Sequence, residues 1–251
     1  MKTILSLLAP LMLLASCHFG GELSGVIDTR VIDNPGDYTK ISIKGGVDVV
    51  LDPTATAISL TGDTTIVNAI TVTLNNGKLT IDASRKLLKK RGIKIVSVKE
   101  EVVAPLSEKI DIVLPAPAVL SEIDLAGAVN FKSVEPIKAG RLEIESAGAN
   151  NIAFTCDLKE LVVDAAGADN YRIEGPVMEL DLDLAGACNF GAKDCYVTAN
   201  KAKVDLVGAC SATICSVGTV KGDAAGACSL AITGAGEAKV KTRGASSVTR
   251  F

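Results

Sequence analysis

The chain has 251 residues, room for one large all-β domain or two small ones. Its 26 Lys and Arg nearly balance 29 Asp and Glu, for a net charge of −3, so the composition excludes a strongly basic nucleic-acid surface. It has no Trp and only 3% aromatics, a thin supply for stacking on sugars or bases, and is dominated by residues that suit narrow, closely stacked strands.

The first predicted element, residues 1–16, is a targeting segment. Lys2 supplies a short positive region and "ILSLLAPLMLLA" an apolar run that Pro10 and its length make unfit to span a membrane. Leu14-Ala15-Ser16-Cys17 resembles the lipobox of bacterial lipoproteins, with cleavage before Cys17 and lipidation of its thiol. Residues 17–25 then read as a lipidated tether. No later run is apolar and long enough to span a bilayer, so the expected membrane contact is the lipid alone. The tether holds one acid, Glu22, too little to choose between the periplasmic and outer faces.

Residues 26–117 carry strand patterns without a clear repeat and are expected to form a less regular β part. "KISIKGGVDVVLD" alternates apolar and polar residues. "ITVTLNNGKLTID" predicts a hairpin, because Asn76-Gly77 lies between two alternating runs. "RKLLKKRG", residues 85–92, reads as a solvated basic loop, with contact to lipid headgroups as the other reading. The prolines of "VLPAPAVL", residues 113–120, interrupt pairing and mark a transition.

From residue 118 to 251 one phrase recurs around Gly127, Gly148, Gly167, Gly186, Gly208, Gly226 and Gly244, at intervals of 21, 19, 19, 22, 18 and 18 residues. A period near twenty is the signature of a solenoid, in which each coil buries its face against its neighbours. Aligned on the glycine, the positions two and four before it are mostly apolar. The position between them is acidic in Asp124, Glu145, Asp164, Asp183, Asp205 and Asp223. That alternation is a strand with one buried face. Four after the glycine lies a second apolar column, which includes Phe131, Tyr171 and Phe190. The expected fold is therefore all-β, a parallel β-helix or β-solenoid, with a right-handed coil expected. A leucine-rich repeat shares the period, but its Asn placement and convex helix are not written here. A calcium-binding nonapeptide roll is excluded by period and by the missing Gly-Gly-x-Gly-x-Asp phrase.

In this reading Gly with flanking Ala marks a tight corner. Three after each glycine stand Asn130, Asn151, Asn170 and Asn189, then Ser211, Ser229 and Ser247. The row is expected to be a structural polar ladder, hydrogen-bonded along the stack. The acidic column is the candidate site for a divalent cation or cationic ligand, at Glu122, Asp124, Glu143 and Glu145. Lysines follow the acids only in the last coils, and an ordinary solvated face is the rival reading. Six cysteines follow Cys17: Cys156, Cys188, Cys195, Cys210, Cys215 and Cys228. Cys188, Cys210 and Cys228 share the position two after the glycine. They could serve as a soft metal site, a disulfide pair with one thiol, or small apolar filler. No metal site is assigned, and no cofactor is expected.

The only His, His18, lies beside the anchor, so Ser–His or Cys–His nucleophilic chemistry is not expected. The order of lipobox, "ISIKGGVDVVLD", "NNGKLTI", "KIDIVLPAP" and repeated acidic-x-x-Gly-Ala-x-Asn corners resembles the putative auto-transporter adhesin, head GIN domain family over about residues 26–250. The resemblance implies a β-helix-like domain, export, often as a lipoprotein, and no catalytic residues to carry over. The chain departs from the pattern where Ser replaces Asn in its last three repeats. The expected function is a non-catalytic, lipid-anchored cell-envelope protein, in the outer membrane, that presents a polar face to a protein or glycan. The alternative is a carbohydrate-active β-helix enzyme. Partners expected are the membrane through the lipid, an unidentified protein or glycan, and a second copy stacked end to end, but no nucleic acid.

Overall fold

A computed structural model describes residues 23–33, 36–91, 109–191 and 197–251; the leader, Cys17, Gly92 and Cys195 lie outside the described residues. The chain opens with β1 (Ile27–Asp33) and β2 (Lys40–Asp52), and β3 (Ala57–Asp63) returns antiparallel to β1. Asp63 then caps helix α1 (Thr64–Ala69), its carboxylate accepting the Thr65 amide at 2.8 Å, and the helix buries Ile66, Val67 and Ala69. β4 (Thr71–Asn75) and β5 (Lys78–Ala83) form the hairpin predicted around Asn76-Gly77. The φ angles there are 50° and 72°, and two consecutive positive values are what a type I′ turn demands.

The basic stretch departs from expectation. It is not a loop: Arg85–Lys90 is a helix, α2, and its Leu88 is buried in the common core. Ser84 caps it by accepting the Leu87 amide at 3.3 Å. Six residues are too few for helical periodicity to be visible in sequence, and the cap was the available signal.

β6 (Asp111–Pro115) runs parallel to β2 and antiparallel to β3. The coils then follow as β7 (Glu122–Ser133), β8 (Ile137–Gly148), β9 (Asn151–Gly167), β10 (Asn170–Gly186) and β11 (Asn189–Phe190). They continue through β12 (Val197–Gly208), β13 (Ser211–Ser216), β14 (Val220–Gly226), β15 (Ser229–Thr233), β16 (Ala238–Gly244) and β17 (Ser247–Arg250). The result is a β-solenoid of about seven turns. Its register is the one the repeat dictates, each marked glycine lying on the next from Gly127 to Gly244.

The coil geometry begins earlier than the repeat suggested. β2 pairs in parallel with β7 so that Gly45 lies on Gly127, Ile41 on Ile123, Ile43 on Leu125 and Asp48 on Asn130. The segment read as irregular thus contains a strand, β2, in register with the coils and joined to its neighbour across 82 residues of sequence. The match hides because α1, the β4–β5 hairpin and α2 intervene between the two strands.

Inward columns form the core. Ile123, Ile144, Val163, Leu182 and Val204 stack at zero exposure, as do Phe131 and Phe190 in the column past the corner. Each fully buried side chain of this size stabilises by about 1.5–3 kcal/mol, so the stack rather than any single contact holds the coils together.

Candidate functional site

The corner follows from the space between coils. At Gly167 φ is +143°, and a Cβ there would lie 2.2 Å from the carbonyl oxygen of Gly148. No side chain fits, so the position must be glycine. The Gly148 carbonyl also accepts the Ala168 amide at 2.8 Å, a bond that repeats at successive corners.

Bending the chain so sharply leaves the amide two residues past the glycine without a strand partner. A side chain from the next coil takes that proton. Asn150 Oδ1 accepts the Val129 amide at 3.0 Å, Asp169 Oδ1 the Asn150 amide at 2.6 Å, and Ser246 Oγ the Cys228 amide at 3.2 Å. The sulfurs of Cys188 and Cys210 stand in the same relation to the backbones of Asp169 and Cys188. After Val129 in the first coil, the column two after the glycine therefore reads Asn150, Asp169, Cys188, Cys210, Cys228, Ser246. From Asn150 onward its common property is a short side chain with an acceptor atom. From sequence the cysteines stand out in this column, whereas Asn150 and Asp169 share neither charge nor size with them. Aligning the whole column would have exposed the polar pattern.

Asp169 has zero exposure. Its carboxylate also accepts Asn150 Nδ2 at 2.8 Å and Ser146 Oγ at 2.8 Å, and Ser146 is bonded in turn to the Tyr171 hydroxyl. Burial holds the Tyr171 phenol well above its usual pKa, so it stays neutral. Everything in this cluster is satisfied by its neighbours, which makes it a fastening between coils.

The cysteines are free thiols among the described residues, and Cys156, Cys188, Cys210 and Cys228 are buried. Cys210 Sγ donates toward the carbonyls of Leu184 at 3.4 Å and Val207 at 3.5 Å. Burial raises the Cys188 and Cys210 thiols and pushes Cys156 up to about 12, which leaves them protonated and unreactive. Of the three roles weighed from sequence, these thiols fill none completely: they pack as small residues and also serve the corner hydrogen bonds.

On the outside of the corner the amide row is continuous. Asn189 Nδ2 donates to Asn170 Oδ1 at 2.9 Å, Asn170 Nδ2 to Asn151 Oδ1 at 3.1 Å, and Asn151 Nδ2 to Asn130 Oδ1 at 2.7 Å. Asn130 Nδ2 ends the row on Asp48 Oδ1 at 2.5 Å, and Lys109 sits 3.0 Å from the other oxygen of Asp48. The Asn130 and Lys109 bonds outweigh the cost of partial burial and hold the Asp48 carboxyl below its usual pKa. Asn151, Asn170 and Asn189 are exposed, and the alanines after the glycines lie exposed beside them.

The four acids chosen for a cation lie side by side on neighbouring strands, Glu122 beside Glu143 and Asp124 beside Glu145, but three of them already have partners. Glu122 already holds two cations, Lys40 at 2.7 Å and Lys78 at 2.8 Å. Asp124 holds Lys78 at 3.3 Å and accepts Ser42 Oγ at 2.8 Å. Glu143 pairs with Arg141 at 3.2 Å, and Glu145 stands exposed. The expectation that the first coils leave their acids without lysines fails because β2 and β5, distant in sequence, supply them. Among the described residues no group of three or more His, Cys, Asp or Glu is placed to hold a metal ion. Further along the column, burial and the neighbouring carboxylates of Asp164 and Asp205 raise the pKa of Asp183. In the ordinary ionised state this carboxylate therefore weakens the fold, and the penalty is relieved as pH falls through its raised value.

The family described as "putative auto-transporter adhesin, head GIN domain" matches residues 37–236 of the chain. Among solved structures, the chain is similar to a putative adhesin from Bacteroides fragilis, with a TM-score of 0.72 and 19% identity over 91% of this chain and 99% of the other. It is similar to a putative lipid binding protein from Parabacteroides distasonis, with a TM-score of 0.63 and 19% identity over 91% and 98% of the two chains. A putative adhesin from Parabacteroides merdae aligns with a TM-score of 0.56 and 18% identity over 91% and 97%. At these identities the likeness is one of fold. No curated protein matches the sequence.

Proposed function

The chain belongs to the putative auto-transporter adhesin, head GIN domain family, and from that premise we propose a non-catalytic protein of the cell envelope, held to the outer membrane by a lipid on Cys17. Its solenoid presents a polar side to a protein or glycan. The observation that carries this reading is the amide row from Asp48 to Asn189, hydrogen-bonded from coil to coil beside the exposed alanines of the corner. Identical polar groups recur about every 4.8 Å along it, the spacing of stacked strands. Such a row complements a partner that is itself repetitive, a linear glycan or an extended protein segment. The small residues beside it let that partner approach the backbone closely.

The family's description as an adhesin supports a place at the cell surface or in the envelope. The apolar leader ending in Leu14-Ala15-Ser16-Cys17 supports the lipid. Among the described residues no helix is long and apolar enough to cross a membrane. The carbohydrate-active alternative has no observation in its favour, and neither nucleic acid nor a cofactor enters the proposal.

The anchor is tested by growing cells with an alkyne analogue of palmitate. The wild-type protein takes up the label and sediments with membranes, whereas Cys17→Ser is unlabelled and leaves the membrane pellet. A Cys17→Ser protein that still carries label, or that stays with the membranes, overturns the anchor.

A further inference from the structure

The outward columns seven, five and three residues before the corner glycines form one pleated face, and its charge changes sign along the stack. In the coils that end at Gly148, Gly167 and Gly186 the face is acidic, carrying Glu143, Glu145, Glu160, Asp164, Asp181 and Asp183. In the coils that end at Gly208, Gly226 and Gly244 it is mainly basic, carrying Lys201, Lys203, Lys221, Lys239 and Lys241 against Asp205, Asp223 and Glu237. Lys203 links the halves, 3.3 Å from Asp181 and 3.0 Å from Asp205. Away from that seam, Glu145, Asp164 and Asp183 make no ion pair among the described residues, and neither do Lys221 and Lys241.

We propose that two copies of this chain pack through this face in opposite directions, each acidic half on the other's basic half. A two-fold axis lying in the interface along the strands, between the Gly186 and Gly208 coils, reverses the coil order and keeps each column on itself. Glu145 then opposes Lys241, and Glu143 opposes Lys239. Arg141 opposes Glu237, Asp181 opposes Lys203, and Glu179 opposes Lys201. Only Asp164 on Asp223 and Asp183 on Asp205 oppose like charges. Beside them the exposed Val207, 53% accessible, meets Ala185.

Six coils about 4.8 Å apart and a seven-residue strand rising about 3.3 Å per residue span roughly 24 Å by 20 Å between their outermost residues. The two copies together bury roughly 960 Å², the size of a weak, reversible complex rather than an obligate dimer. Such a complex draws its specificity and encounter rate from charge and loses both in salt.

End-to-end stacking has less behind it. At the N-terminal end, α1, α2 and the antiparallel strands β1 and β4 cover the coils. At the C-terminal end the last coil presents Lys239, Lys241, Arg243 and Arg250, all exposed. Cations on an edge strand repel a second copy of the same edge.

Sedimentation velocity of the purified protein tests the proposal. In about 0.02 M salt the protein dimerises with rising concentration, and in about 0.5 M salt the apparent dissociation constant rises at least about tenfold. The double variants K239E/K241E and E143K/E145K are each monomeric in low salt. Mixed together they form a heterodimer, because each restores the opposition the other lost. A wild-type protein that stays monomeric in low salt overturns the proposal, as does a dimer indifferent to salt. So does a mixture of the two folded variants that associates no better than either alone. Circular dichroism establishes that each is folded, and the wild-type salt series decides the matter without them.

Discussion

Gly167→Ala should unfold at least about 4 °C below the wild type. The residue sits at φ +143°, and an added Cβ would come within 2.2 Å of the Gly148 carbonyl oxygen and 3.0 Å of the Gly148 nitrogen and carbonyl carbon. The left-handed strain costs about 1–3 kcal/mol and the overpacking a similar amount, so a loss of at least about 2 kcal/mol is expected. For a domain of this size each kcal/mol is worth about 2–4 °C in melting temperature. The backbone it strikes is itself held by the coil beneath, and moving it would break the Ala168-to-Gly148 hydrogen bond. Gly140→Ala is the control. Gly140 lies within β8 with nothing inside 4 Å of its added Cβ and without a positive φ. Its substitution should shift stability by no more than about 0.5 kcal/mol. Thermal melts of the two variants check this. Equal melting temperatures would mean that the corners do not stack at strand spacing.

Asp169→Ala should also be damaging, for a different reason. The substitution removes the acceptor of three buried donors at once: the Asn150 amide, Asn150 Nδ2 and Ser146 Oγ. Asn150 has zero exposure and Ser146 6%, so water reaches neither donor group easily. Each stranded donor costs about 1–3 kcal/mol, and the three together at least about 3 kcal/mol. Asp169→Asn keeps an acceptor for Asn150, and the Ser146 hydroxyl can turn to accept from the new amide. It should cost less than half as much. Urea unfolding of both variants, followed by far-ultraviolet circular dichroism, separates them through their midpoints. A midpoint for Asp169→Ala equal to that of the wild type would show that the buried network does not fasten the coils.

Much of this architecture is written plainly in the sequence because a solenoid repeats its own instructions. The alternation around Gly186 appears again at Gly208 and Gly226, so the strand, its buried face and the corner can be read by alignment alone. Asn76-Gly77 was equally legible, since few dipeptides tolerate two positive φ angles in succession. What escaped lay where the repeat was broken or its meaning was not apolar. β2 belongs to the stack, yet the 82 residues between Gly45 and Gly127 conceal their pairing. The ion pairs of Glu122 with Lys40 and Lys78 escaped for the same reason. Asn150, Asp169 and the cysteines differ in charge and size, and only the amide each one faces shows that they do one job. The helix α2 was hidden by its own shortness and by the four basic residues around Leu87 and Leu88.

The adhesive reading stands or falls on where the solenoid is displayed. The most direct measurement adds protease to intact cells producing the protein with an epitope tag after Phe251, with lysed cells as the control. The proposal predicts that the tag is lost from intact cells, while a periplasmic marker survives until lysis. A tag that stays whole on intact cells and is lost only after lysis would place the solenoid beneath the outer membrane and contradict a role in attachment to other surfaces.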